Sequence, residues 1–116
     1  MTHQDDRRIT EALVAAASER RSCALATVVA TRGSTPRKVG ARLLVDPQRG
    51  LTGTVGGGCG EAEVIEAARR VLSSGNSERL TVDLTEDFTT WSPAVCGGTM
   101  DVFVEAVRFE DGGDTP

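Results

Sequence analysis

The chain has 116 residues, enough for one domain with a single core, and its 39% hydrophobic and 26% charged residues are typical of a soluble globular domain. The formal net charge is −4 and no basic stripe runs through the sequence, which argues against broad binding to nucleic acid. No apolar run is long enough to cross a membrane, and residues 1–8 lack the apolar segment of a signal peptide. Three cysteines without a scaffold-like spacing do not predict a disulfide framework, so we expect a cytoplasmic protein.

The first predicted element is a helix over residues 5–21. Its apolar residues recur at helical spacing and are Ile9, Leu13, Ala16 and Ala17. Residues 22–31 are predicted to form a strand buried on both faces, because almost all of them are small or apolar and several are β-branched. Residues 32–40 are rich in glycine and proline and are predicted to form a loop.

A hairpin and a second helix follow. Residues 41–46 and 51–55 are the predicted arms of the hairpin, and residues 47–50 form a turn that ends in glycine. Residues 60–73 are predicted to be helical, and the glycine in residues 74–76 ends the helix. The apolar face of this helix consists of Val64, Ile65, Ala68, Val71 and Leu72.

Two further strands complete the prediction, at residues 78–84 and 100–107, where apolar and polar residues alternate. The order α-β-β-β-α-β-β predicts an α/β (α+β) fold, in which a mixed sheet of about five strands is covered by two main helices. We expect residues 1–110 to form one domain and residues 111–116 to be a disordered tail.

The most informative motif lies between a predicted strand and a predicted helix and consists of Gly56, Gly57, Gly58, Cys59, Gly60 and Glu61. Glycines at such a junction leave backbone N–H groups open to an anionic ligand, and the helix dipole favours a thiolate on Cys59. The alternative is a tight turn with a small buried cysteine. A Walker loop and a dinucleotide fingerprint are both excluded, because Glu61 stands where each requires another residue.

Two other segments carry candidate residues. Cys96 precedes Gly97 and Gly98 at the entry to the last strand, and its sequence context fits a core position and a binding position equally well. Arg37 offers a planar guanidinium that suits a phosphate or carboxylate, although an ordinary solvated loop explains it as well. Cys23 lies within an apolar strand and is predicted to be a core residue. Structural zinc is poorly supported, because no Cys-x-x-Cys is present and His3 is the sole histidine.

The ordered set of motifs resembles the N-terminal domain of XdhC/CoxI-type accessory proteins over about residues 8–107. The matching segments are Arg-Gly-Ser-Thr-Pro-Arg at 32–37, Gly-Ala-Arg at 40–42, Gly-Thr-Val-Gly-Gly-Gly-Cys at 53–59 with Glu61, and Cys-Gly-Gly at 96–98 before an apolar strand that ends at Glu105. No single segment is specific, but their order and spacing are.

The resemblance implies a role in the maturation of molybdenum hydroxylases such as xanthine dehydrogenase or carbon monoxide dehydrogenase. The protein would bind molybdenum cofactor (molybdopterin) as cargo and assist its sulfuration or its insertion into the apoenzyme. It would then be a maturation factor rather than an enzyme. The implied partners are the molybdenum hydroxylase apoenzyme and a separate Rossmann-domain protein or sulfurtransferase, and we expect a homodimer that binds neither nucleic acid nor membrane.

The candidate cofactor-binding residues are Gly56, Gly57, Gly58, Cys59, Glu61, Arg37, Cys96, Gly97 and Gly98. Within this set, the glycine loop and Arg37 would hold the phosphate of the cofactor. Cys59 and Cys96 would contact molybdenum or its sulfur, because thiolates are soft ligands. No residue is assigned a catalytic role.

Two departures from the family pattern affect this interpretation. Many members carry a second, Rossmann-like domain that these 116 residues do not contain, so we expect a partner to supply it. Gly60 stands where the family usually has a larger aliphatic residue, and we expect a more flexible loop and a less packed helix start. Two alternatives stay open: a small thiol-dependent enzyme or redox sensor that uses Cys59, and a docking module that binds no small molecule.

Overall fold

The computed structural model describes residues 3–33, 35, 38–55, 60–84 and 98–109. In chain order the elements are helix α1 (His3–Ser18), strands β1 (Cys23–Arg32), β2 (Arg42–Asp46) and β3 (Gly50–Gly53), helix α2 (Glu61–Ser74), and strands β4 (Glu78–Asp83) and β5 (Thr99–Val107). The predicted order of two helices and five strands is confirmed. The predicted tail at residues 111–116 lies outside the described residues. Neither α1 nor α2 is long and apolar enough to cross a membrane.

The strands form one sheet in the order β3-β2-β1-β5-β4, and every neighbouring pair is antiparallel. The predicted α+β class is confirmed, but the sheet is not mixed in the part of the chain that the structure describes. The reason lies in the connection through α2, which joins β3 on one edge to β4 on the opposite edge. These two strands run in the same direction, but three strands separate them and they never pair.

The two helices cover opposite faces of the sheet, because successive residues of a strand point to opposite sides. Helix α2 packs on β1, β4 and β5 and buries the larger core, to which Ala26 and Val102 belong. Helix α1 packs on β2 and β3, where Ala16 lies with Cys23 and Leu44. The prediction that β1 is buried on both faces is therefore confirmed for its first half.

Helix α1 ends at Ser18, before the predicted residue 21. Arg20 adopts a left-handed backbone conformation with a φ of 56°. The N–H of Arg21 then donates to the carbonyl oxygen of Ala16 at 2.9 Å, in the manner of a helix C-terminal cap. Arg21 consequently leaves the helix and turns toward the β2–β3 hairpin.

An ion pair joins this turn to the hairpin. Asp46, at the end of β2, is 5% exposed and accepts a hydrogen bond from Arg21 Nη1. Its Oδ1 accepts the backbone N–H groups of Gln48 and Arg49 at 2.9 and 3.2 Å. Burial alone would raise the pKa of Asp46. The hydrogen bonds that Asp46 accepts, above all the one from Arg21, outweigh burial and hold its pKa below the usual range.

The start of α2 is tightly packed, contrary to the expectation from the sequence. Gly60 has a φ of 74° and a ψ of 2°, a left-handed conformation that glycine adopts without strain. A Cβ atom at this position would lie 2.5 Å from Val82 Cγ1 and 3.0 Å from Leu84 Cδ2. The missing side chain therefore lets the helix start lie directly against the end of β4.

We expect Asp46→Asn to lower the free energy of unfolding at neutral pH and to weaken its dependence on pH in acid. Because the pKa of Asp46 is lower in the folded than in the unfolded state, its stabilisation is complete above the unfolded value, near 4, and is lost as the pH falls through the folded value. Urea unfolding from about pH 7 to about pH 3 measures this difference. Glu11→Gln, an exposed acid on α1, should follow the wild type. Parallel pH profiles for Asp46→Asn and wild type would contradict the assignment.

We expect Gly60→Ala to destabilise the fold by roughly 2–4 kcal/mol, since it adds both backbone strain and a clash with Val82. Gly75 is a matched control because its φ of 80° and ψ of 0° are nearly the same, while a Cβ there meets only the flexible end of Arg108. Gly75→Ala should therefore cost only about 1–2 kcal/mol. Chemical denaturation of both variants tests the difference, and equal losses would show that the contact with Val82 contributes nothing.

Candidate functional site

The strand directions bring three loops to the same end of the sheet. At this end β1 finishes at Arg32, β3 at Gly53 and β4 at Asp83, and β2 begins at Arg42 and β5 at Thr99. These termini lie toward the same end because all neighbouring strands are antiparallel, although β1 continues for five residues beyond Thr27, which pairs with Arg42 at the start of β2. The three motif segments of the sequence belong to the connections 33–41, 54–60 and 84–98, which all leave from this end.

Leu84 links the described ends of two of these connections. Its backbone N–H donates to the carbonyl oxygen of Gly98 at 2.9 Å. Its side chain lies against Gly60. Gly60 directly follows Cys59, and Gly98 lies two positions after Cys96. Gly60 and Gly98, the described residues nearest in sequence to Cys59 and Cys96, are therefore both in contact with Leu84.

A side-chain hydrogen bond joins the two ends of the glycine-containing connection. The hydroxyl of Thr54 donates to Glu61 Oε2. Glu61 and Glu63 both lie in the first turn of α2, and within the described part of the chain no side chain caps this turn with a hydrogen bond. The positive end of the helix dipole is thus already faced by two carboxylates, which would repel an anion bound at the first turn itself.

At this end of the sheet, the face that is turned away from α2 is polar. Asp101 is buried and accepts hydrogen bonds from Thr81 Oγ1 at 2.8 Å and from Arg79 Nη2 at 3.3 Å. The pKa of Asp101 is lowered by these hydrogen bonds, above all the one from Thr81, and by the charge of Arg32. Asp101 is consequently an ionised structural acceptor and is not poised to act as a general base near neutral pH.

Of the predicted site residues, Glu61 and Gly98 lie within the described part of the chain, and both lie at this end of the sheet. Arg37, Gly56, Gly57, Gly58, Cys59, Cys96 and Gly97 lie outside the described residues. Across the described ranges, no group of three or more His, Cys, Asp or Glu residues could hold a metal ion.

The third cysteine, Cys23, is fully buried, as the sequence predicted for a core residue. Burial raises the pKa of its thiol, and the nearby charge of Asp46 adds to that effect. Cys23 is therefore held as a neutral thiol beneath α1, at the far end of the sheet from the candidate site.

Thr54 and Thr99 are polar residues of this end that the sequence analysis did not single out. Thr99 pairs with Arg32 on one side and with Asp83 on the other. Its Oγ1 is buried and has no hydrogen-bond partner among the residues that the structure describes. The position of Thr99 directly after Gly98 was a signal that could have identified it, whereas no sequence pattern relates Thr54 to Glu61.

Comparison with known proteins gives a consistent result. The XdhC and CoxI family matches residues 16–83. The uncharacterized protein YqeB of Escherichia coli (strain K12) is 35% identical over 92 residues, which are 78% of this chain and 17% of that protein. A crystal structure of a protein described as a xanthine dehydrogenase from Bacillus halodurans has a TM-score of 0.71 and 30% identity, over 84% of this chain and 30% of that one.

This chain spans less than a third of the length of either relative. The family match begins in α1 and ends at the last residue of β4, so it contains four of the five strands, β1 to β4, and does not include β5. A match over more than half of the sequence, supported by a solved structure of the same fold, shows that the chain belongs to the XdhC and CoxI family.

Proposed function

We propose that this domain binds molybdenum cofactor (molybdopterin) as cargo and assists its sulfuration or insertion into a molybdenum hydroxylase, such as xanthine or carbon monoxide dehydrogenase. Family membership supports the general role in molybdenum hydroxylase maturation. The observation that carries the proposal is that all three motif-bearing connections leave from one end of the sheet. In this role the domain is a maturation factor, and the redox chemistry belongs to the cofactor in its final enzyme.

Two features of the described residues at this end bear on the proposal. Thr99 holds a buried hydroxyl that has no hydrogen-bond partner within the described ranges, and a buried donor without a partner is costly. The bond between Thr54 and Glu61 fixes both ends of the glycine-containing connection. This end of the sheet thus combines an unsatisfied donor with a loop whose two ends are anchored.

The phosphate of the cofactor would be received by the backbone N–H groups of the glycine loop and by Arg37. It would not occupy the first turn of α2, because Glu61 and Glu63 would repel it there. Glu61 contributes by anchoring the loop through Thr54 rather than by contacting an anion.

Cys59 and Cys96 would contact the molybdenum or its sulfur, as soft ligands do. The contacts of Leu84 with Gly60 and Gly98 support this division, since Gly60 directly follows Cys59 in the sequence and Gly98 lies two positions after Cys96. Two thiols that serve one ligand explain why two cysteine–glycine motifs occur in a chain with three cysteines.

The proposal extends to the partners. The apoenzyme of a molybdenum hydroxylase would receive the cofactor, and a Rossmann-domain protein or a sulfurtransferase would act with this domain in the cytoplasm. We further propose a homodimer, for which the open edge strands β3 and β4 offer unpaired backbone groups.

We expect the wild-type domain to bind molybdenum cofactor at near-stoichiometric ratio under anaerobic conditions. Cys59→Ala and Cys96→Ala should each weaken binding by roughly tenfold or more, which corresponds to a loss of at least about 1.4 kcal/mol. Pterin fluorescence and metal analysis of the bound fraction measure this. Cys23→Ala is the matched control, because this thiol is buried at the opposite end of the sheet and should leave binding unchanged. Wild-type affinity in both site variants would exclude the thiol roles, and no binding by a folded wild type would favour a docking module.

Arg37→Gln should lower the affinity for the cofactor by about tenfold and reduce its dependence on ionic strength, because a charge-assisted contact to phosphate is lost. Arg49→Gln removes an equal charge from the β2–β3 turn at the opposite end of the sheet and serves as the control. Binding titrations at low and high salt distinguish the two variants. If Arg37→Gln retained the wild-type salt dependence, Arg37 would have no part in holding the phosphate.

A further inference from the structure

The outer edge of β4 is open in the part of the chain that the structure describes. β4 pairs with β5 on one side, in a register that continues without a bulge from Glu78 to Asp83, and no described strand pairs with its other side. Residues 78–83 contain no proline and no lysine, which commonly protect an edge strand from pairing. β4 is therefore a regular strand with an edge that can pair.

The opposite edge strand, β3, is less suited to pairing. It has four residues, and its end residues Gly50 and Gly53 have φ values of 95° and 85°, far from those of an extended strand. Helix α1 also packs against β3. β3 therefore offers a shorter and less regular edge than β4.

One hydrogen bond shows which backbone groups of β4 point outward. The N–H of Leu84 donates to the carbonyl oxygen of Gly98, which is the next opposed residue in the β4–β5 register. Opposed pairs in an antiparallel ladder alternate between bonded and non-bonded, so the even-numbered residues of β4 bond to β5. The odd-numbered residues direct their N–H and C=O groups toward the open edge, and their side chains are exposed; they are Arg79, Thr81 and Asp83.

We propose that two copies of the domain join through β4 in an antiparallel pair whose two-fold axis passes through Thr81. This inference deepens the homodimer proposed above and rests on it. Such an axis is perpendicular to the sheet, so both α2 helices lie on one face and odd-numbered residues lie opposite odd-numbered residues. The strands of the two copies then form one continuous antiparallel sheet.

The charges of the edge select this register. Centring the pair on Thr81 places Arg79 opposite Asp83 of the partner subunit, and the symmetry repeats this contact. Opposite charges that face each other across two strands stabilise the pairing, whereas like charges destabilise it. A register centred on Arg79 or on Asp83 would place like charges opposite each other. The register centred on Thr81 also pairs every outward-pointing residue of β4, and other registers pair fewer of them within the strand.

The contacts in this register are compatible with those already present. The N–H and C=O groups of Thr81 bond to those of the partner's Thr81, and the N–H of Arg79 donates to the carbonyl oxygen of the partner's Asp83. Asp83 has other interactions, but a carbonyl oxygen accepts two hydrogen bonds and a carboxylate accepts more. The side chain of Arg79 is 63% exposed and donates Nη2 to Asp101, so its guanidinium has further donors for the partner's carboxylate.

The pairing has a consequence for the candidate site. On the α2 face, Leu80 is half-buried at the margin of the core and is covered by Val82 of the partner subunit. On the other face, Arg79 of the partner subunit lies beside Asp83, where β4 leads into the connection that carries Cys96. Each copy thus contributes a cation to the edge of the other copy's candidate site.

The first test is sedimentation equilibrium of the full chain, in which we expect wild type to dimerise. Arg79→Glu and Asp83→Arg should each weaken the dimer by about tenfold or more, because each places like charges opposite each other. The double variant should restore the dimer. Residues 79 and 83 of one chain are about 13 Å apart along the strand, so this rescue arises between copies. Arg7→Glu, at an exposed position on α1, is the control, and urea unfolding verifies that each variant is folded.

The second test is disulfide trapping in a chain that carries Cys59→Ala and Cys96→Ala. Thr81→Cys places a thiol opposite its own symmetry mate, with Cα atoms about 5.5 Å apart, a separation that a disulfide spans. Oxidation should give a covalent dimer. Arg79→Cys is the matched control, because its symmetry mate lies about 13 Å away along the strand and should not be trapped.

The proposal is overturned if wild type is monomeric, if the folded double variant fails to restore the dimer, or if Thr81→Cys forms no covalent dimer. A dimer that fails only the trapping and rescue tests would overturn the β4 pairing and leave a homodimer through another surface. Cofactor binding is measured on the same samples. A monomer that binds molybdenum cofactor would overturn the pairing without affecting the proposed role in carrying the cofactor.

Discussion

The position of β1 at the centre of an antiparallel sheet determines where the other strands, the two helices and the connections between them lie. It pairs with β2 and β5, packs against α2 on one face, and meets α1 on the other face at its first residue, Cys23. Small residues make this possible: Cys23 points toward α1, while Ala24 and Ala26 point toward α2, and all three are fully buried. A larger side chain on either face would separate a helix from the sheet.

The same arrangement gives the two ends of the sheet different features. One end collects the connections that carry the family motifs, together with the hydroxyl of Thr99, which has no partner among the described residues. The other end holds the ion pairs of Arg21 and Asp46, which fix α1 to the hairpin. Stability at this second end is electrostatic and sensitive to acid, whereas the first end depends on close packing around Gly60.

Much of the fold followed from local patterns. The uninterrupted small and apolar run of β1 predicted its burial, and Gly50 and Gly75 predicted where the hairpin turn and the second helix end. Antiparallel pairing throughout was not predictable, because it depends on α2 joining opposite edges of the sheet rather than adjacent strands. The tight packing at Gly60 was also missed, since the residue it contacts, Val82, lies on a strand beyond the helix. The sequence identified the motif segments of the candidate site, Thr54 among them, but gave no indication of the contact between Thr54 and Glu61.

The hydrogen bond between Thr54 and Glu61 has a mechanical consequence. The hydrogen bond closes residues 54–61 into a ring, and α2 continues from the last residue of this ring. A cargo that pulls this loop outward must break the bond or draw the first turn of the helix with it. Because α2 rests on β1, β4 and β5, that displacement reaches the centre of the sheet. If the loop holds the cargo proposed above, loading and unloading would be transmitted to the face of α2 that is turned away from the sheet, where a receiving protein would sense the difference.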